Sequence, residues 1–325
     1  MGSVGELAAL ATAFLWTGSA VSFEAASNRV GSVPVNLLRL LVGFVLLTIW
    51  GLIGHGRLLP LEAPADAWVW LAASGFVGFT IGDLCLFRAF VVIGARLSML
   101  LMCLTPPLTA LLGTIFLHEN LGSLRILGMV MTVGGVAWTV MERRGGGKST
   151  DPKSTADATP QENMAQPRTP SSSRLINTSS TTMAWGITLA VVGALGQAFG
   201  LILSKWGMAS FEEPFGASQI RVLAGIAGFM VAFTIAGVWK RVFAATRDSR
   251  AMALLTSGAV FGPFLGVPLS LLAVHTTEAG VASAIMSIVP ILMLPIARLR
   301  GEKISARAIV GTMLAVAGVV VLFNG

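Results

Sequence analysis

Three ionisable side chains lie inside long apolar stretches of this 325-residue chain: Arg39, Asp83 and Arg221. A charge in the hydrocarbon of a bilayer is costly and by default marks a functional site. A guanidinium and a carboxylate at like depth neutralise each other. A guanidinium without such a partner suits a carboxylate or phosphate group on a solute. Arg39 and Asp83 each fall about five residues in from the same side, roughly 7–8 Å deep at 1.5 Å per helical residue. They are predicted to pair, with Glu24 as a further member. The alternative is that Arg39 snorkels to the headgroups and Asp83 caps a neighbouring helix. Arg221 holds the matching place in the second half of the chain and is predicted near the opposite face. There it meets His275 and Glu278, or an anionic group of the substrate.

These residues need elements to position them, and the apolar runs supply ten. They span residues 5–25, 34–54, 67–88, 94–117, 123–141, 184–204, 217–239, 251–274, 279–297 and 305–323. Each is close to the 20 or so residues that a helix needs to cross a bilayer, and none shows the short alternation of a membrane β-barrel. Hydrophobic residues make up 54% of the chain and charged residues 11%, against about 25% charged in soluble domains. That excludes an ordinary soluble enzyme and a disordered chain, and with them a nucleic-acid partner despite the net charge of +7. The bilayer is the expected partner. Trp50, Trp68, Trp138, Trp185, Trp206 and Trp239 fall near run ends, as an aromatic belt requires. Cys85 and Cys103 lie in apolar runs and read as buried thiols. The first ten residues carry no Lys or Arg, so they read as the start of a helix and not as a signal peptide.

Residues 142–182 break the pattern with Ser, Thr and Pro, and read as a disordered basic linker. Gly147-Lys148-Ser149 resembles the tail of a phosphate-binding loop, but Glu142 stands where that motif needs Gly. No nucleotide, metal or other cofactor is predicted. The linker separates a first five-helix unit, residues 1–141, from a second, residues 183–325. The two are copies. Pro107/Pro290, Glu119/Glu302, Gly128/Gly311 and Gly135/Gly318 are each 183 apart. The ladder Ser74, Gly78, Gly82 returns 184 residues later as Gly258, Gly262, Gly266, and Arg39 with Gly43 returns as Arg221 with Gly225. Because five is odd, the copies enter the membrane from opposite sides, and substrate is expected at the midplane between them.

These residues resemble the drug/metabolite transporter superfamily in its ten-helix form with two EamA-type repeats. The likeness rests on Trp16-Thr17-Gly18-Ser19, an Arg early in the second span, a Pro in the fourth, and a Glu signature after the fourth and ninth spans. His118 departs from it, since Gly is usual there. The resemblance implies an all-α membrane protein that moves solutes along gradients, without ATP hydrolysis. No His pair at helical spacing for a metal and no Gly-x-Ser-x-Gly elbow occurs, so the chain does not read as an enzyme. The resemblance also implies termini inside the cell. A bacterial inner membrane is the expected location.

Charge placement points the other way. Seventeen Lys and Arg lie on the side of the odd-numbered loops and three on the other, which predicts cytoplasmic odd loops and external termini. The pocket is expected from Trp16, Ser19, Met99, Met102, Cys103, Gln197, Ser283, Met286 and Ser287, with Pro107 and Pro290 bending their helices. The two ladders read as packing surfaces, and Glu119 and Glu302 as caps on the helices that follow. The function expected is export of a small metabolite, an amino acid or a similar solute, by alternating access, and the two Arg residues lean toward substrates with an anionic group. Efflux of hydrophobic drugs or cations is the alternative within transport. A non-transporting receptor and an intramembrane enzyme are the alternatives outside it. The oligomeric state is left open.

Overall fold

The computed structural model describes residues 2–117, 122–145, 180–276, 285–302 and 304–324. Ten helices correspond to the predicted runs: α1 (Gly2–Val30), α2 (Ser32–His55), α3 (Ala65–Ile93), α4 (Ala95–Phe116), α5 (Ser123–Gly145), α6 (Ser180–Met208), α7 (Pro214–Ala236), α8 (Ser249–Ala273), α9 (Val289–Leu299) and α10 (Ala306–Asn324). The first eight are long and apolar enough to cross a membrane, and the last two are shorter. The predicted ninth span begins at residue 279, in a stretch outside the described residues. α7 stops earlier than its apolar run because Gly237, at φ 62°, takes the left-handed conformation that closes a helix. A short helix, Trp239–Ala245, follows. Trp50, Trp138 and Trp185 are exposed near helix ends, in keeping with an aromatic belt.

Two repeat-related helices carry the same irregularity. α3 widens into a π-helix over Phe76–Gly82, and α8 does so over Val260–Gly266. The amide after each segment donates five residues back, Asp83 to Gly78 and Val267 to Gly262. Such bulges are frequent at functional sites. α4 is interrupted by a 3₁₀ turn at Met102–Leu104. Pro106 and Pro107 follow in the first turn of the resumed helix, Thr105–Leu117, and Pro290 is the second residue of α9. Proline in a first turn removes an amide that has no helical acceptor there. The expected bends thus correspond to breaks just before each proline, and the prolines restart a helix instead of kinking one.

The halves interlock through small residues. α3 packs on α6, and α1 on α8. A Cβ on Gly196 would lie 2.8 Å from Gly82 Cα, and one on Gly262 would lie 2.6 Å from Ser19 Oγ. The Ser74 hydroxyl donates to Gly200 O at 2.6 Å, and the Ser19 hydroxyl to Gly258 O at 3.1 Å. The two ladders are packing surfaces, as their spacing predicts. α5 and α10 form a third cross-repeat pair, with Gly135 against the Ala315 backbone and Gly318 against Thr132.

Candidate functional site

A cavity of about 480 Å³ lies between the repeats, lined by residues of both. That volume is in the range of small-molecule sites. Trp16, Ser19, Met99, Met102, Cys103, Gln197, Met286 and Ser287 all line it, as do Arg39, Asp83, Arg221 and Pro290. Ser283 lies outside the described residues, and Pro106, not Pro107, reaches the cavity wall.

The polar centre is built on α3. Asp83 follows the π segment, is 5% exposed, and forms an ion pair with the Arg39 guanidinium, which is 4% exposed. Burial of both partners at this depth explains the pairing: an unpartnered charge there costs far more than an exposed one. The other carboxylate oxygen accepts a hydrogen bond from Gln197 Nε2 at 2.7 Å, and the same nitrogen donates to Gly78 O at 3.2 Å. Gln197 belongs to α6, so the acid of the first repeat is held by the second. Phe rings surround the pair. The Arg39 guanidinium lies 4.5 Å from the centroid of Phe87, 5.5 Å from Phe23 and 5.8 Å from Phe79. These contacts favour a cation in a dry site.

Sequence reasoning missed this aromatic box. Its signal was present, because Phe79, Asp83, Phe87 and Phe90 recur at helical spacing on one face.

Arg221 does not sit apart at the opposite face. It reaches the same cavity, with its guanidinium 5.1 Å from the centroid of the same Phe79 ring. The reason is a close backbone crossing. A Cβ on Gly75 would fall 2.7 Å from Arg221 Cα, so only glycine lets α7 approach α3 this closely. The His275 side chain and Glu278 lie outside the described parts of the structure.

Glu24 does not join the Arg39–Asp83 pair either. It forms an ion pair with Arg300 and accepts the Ala95 amide at 2.7 Å, capping α4. Nearby, Arg96 Nε lies 3.0 Å from Glu302 Oε2, and Arg29 pairs with Asp248 at 2.9 Å. All three ion pairs join one repeat to the other on the odd-loop face. Glu302, expected as a cap for α10, is thus engaged by Arg96 of the other repeat, and a side-chain cap on α10 comes from Ser305, which accepts the Ala308 amide at 3.0 Å. Glu119 lies outside the described residues.

At the other end, the cavity wall reaches Lys205 and Ala209, both exposed at the end of α6. The hydroxyls of Ser19, Ser204 and Ser270 donate to helix carbonyls. Beyond its charged centre, the lining is mostly aromatic, aliphatic and thioether, and Met side chains adapt readily to varied shapes.

Two five-helix repeats with a chamber at their interface, charged at its centre by both, have the architecture of a membrane transporter. Residues 3–141 and 184–324 each match the EamA-like transporter family, and the chain belongs to that family. It is an integral, multi-pass membrane protein of the drug/metabolite transporter type. A crystallised protein of 15% sequence identity shares the fold, with a TM-score of 0.60 over 99% of this chain and 96% of its own. No curated protein matches the sequence.

Proposed function

We propose that the protein is a secondary transporter that moves a small metabolite, an amino acid or similar solute, out of a bacterial cell by alternating access. The observation that carries this reading is the latch on the odd-loop face. Glu24 with Arg300 and the Ala95 amide, and Arg96 with Glu302, tie the ends of α1, α4 and α9 across the repeat boundary. To expose the cavity on that face, the repeats must part there. A few charge-assisted hydrogen bonds are strong enough to hold one state and weak enough to exchange against ligand binding. Seventeen loop cations support a cytoplasmic position for the latched face.

The drug or cation alternative is less favoured by the site. A bare cation needs an acid whose charge is not already balanced, and Asp83 is paired with Arg39 while a second buried guanidinium, Arg221, lines the same cavity.

The test replaces Arg96 and Glu302 by cysteine in purified protein reconstituted into liposomes loaded with a metabolite pool. Bridging the two thiols with a bifunctional methanethiosulfonate that spans the lost side chains is expected to stop gradient-driven release of whichever solutes the wild type releases, and reductant to restore it. Undiminished release from the cross-linked protein would sink the reading. A reporter fused after Gly325 is expected to be external, and a cytoplasmic signal would reverse the assignment of the two faces.

A further inference from the structure

The two repeats place an arginine at the same point, but only the first has an acid at the position that follows the π segment. Arg39 on α2 pairs with Asp83 on α3, the residue that follows the first π segment. Arg221 on α7 has its counterpart partner position on α8, after the second π segment, and that residue is Val267. Val267 lines the cavity alongside Arg221. The second repeat thus keeps the cation and the helix geometry, and lacks the carboxylate.

Arg221 is 7% exposed, and its Nε has no hydrogen-bond partner. Among the described residues no hydrogen bond or ion pair reaches its guanidinium. Asp83 attracts it from a distance, but the hydrogen bonds of that carboxylate go to Arg39 and Gln197. A methyl group on Gly78 would stand 3.9 Å from Arg221 Nη2 and 3.8 Å from Gln197 Oε1, which puts the guanidinium beside the π segment of α3. Among the described residues, the buried guanidiniums of Arg39 and Arg221 in the cavity lining face one buried carboxylate, that of Asp83. A dry, planar guanidinium with an open edge suits an oxyanion.

We infer that Arg221 is an oxyanion-binding site, and that the carboxylate or phosphate of the transported solute occupies the place Asp83 fills in the other repeat. This rests on the transport reading above and narrows the metabolites named there, away from free amino acids, to small organic monoanions whose remaining surface is apolar enough for the aromatic and thioether wall.

The test uses full-length protein in a neutral detergent, so that no lipid phosphate competes. Trp16 lines the cavity, and tryptophan fluorescence is the readout, against the Trp16→Phe variant as background. Benzoate, phenyl phosphate and the uncharged benzamide are the probes. Wild type is expected to bind at least one of the two anions roughly tenfold or more tightly than benzamide, and which anion wins decides between carboxylate and phosphate. Val267→Asp supplies the missing acid from within. It is expected to abolish anion binding while benzamide binding and thermal stability are kept. Val267→Asn, which adds polarity without charge, is expected to bind the anions nearly as wild type does. Arg221→Gln is expected to lose the preference for anions as well. If this variant fails to fold, the Val267 pair still decides. Equal binding of anions and benzamide by wild type, no binding of any anion, or unchanged anion binding by Val267→Asp would each overturn the site. Release experiments on the cross-linkable variant separate this outcome from failure of the transport reading. Latch-dependent release without anion preference removes only the oxyanion site. Anion binding at Arg221 without latch-dependent release removes only the transport mechanism.

Discussion

Gln197 Nε2 lies 2.7 Å from Asp83 Oδ1, so the first helix of the second repeat holds the buried acid of the first. The contact sits beside the Arg39 ion pair and the Phe79 ring that Arg39 and Arg221 share. Motion of one repeat against the other is therefore felt at the charges that line the cavity.

Neutralising the acid should cost more than neutralising its partner. Asp83→Asn leaves two buried guanidiniums, Arg39 and Arg221, with no carboxylate between them. A loss of about 3–5 kcal/mol is expected, the usual effect of stranding a buried charge. Arg39→Gln still leaves Asp83 facing Arg221 and should cost less. Thermal unfolding in detergent checks the order, and equal losses would mean that Arg221 does not sense Asp83.

Gln197→Leu removes the donor that spans the repeats but keeps the side chain's bulk. Asp83 keeps Arg39, so the protein should fold with a loss of about 1–3 kcal/mol, the penalty for one buried acceptor left without its donor. Release rates from liposomes should fall by more than protein yield does. A variant that transports as wild type would show that the contact is structural only.

The α5–α10 pair offers an internal control. A methyl on Gly135 would meet the Ala315 and Gly311 backbones, whereas one on Gly134 meets nothing within 4 Å. Gly135→Ala should destabilise by about 1–3 kcal/mol through overpacking. Gly134→Ala should be neutral or stabilise by up to about 1 kcal/mol, because alanine favours helix. Melting temperatures of the two variants, measured side by side, test the crossing.

Asp248 gives the pH dependence of the odd-loop face. It caps α8 by accepting the Ala251 amide at 3.0 Å, and this bond, with Arg29 beside it, holds its carboxyl below the usual value of 3.8. A lowered folded-state pKa means that its stabilising effect is complete above the unfolded value and is lost as pH falls through the folded one. Asp248→Asn should therefore melt below wild type at neutral pH, and the gap should close as pH drops beneath 3.8. A gap that persists unchanged in strong acid would exclude the carboxylate as its source.

Much of this architecture is written in the sequence because a bilayer makes its demands locally. Run length fixes the helices, the 183–184 spacing of Gly, Pro and Glu fixes the repeat, and the cost of a buried charge brings Arg39 to Asp83. The same logic names the cavity wall, from Trp16 on α1 to Met286 just before α9. Helical period and depth, however, say which face a side chain occupies and not which helix it will meet. Glu24 finds Arg300 from 276 residues away, and Arg221 turns toward α3 because Gly75 admits its backbone there. Those choices depend on close contact between distant segments, so only the tertiary structure decides them.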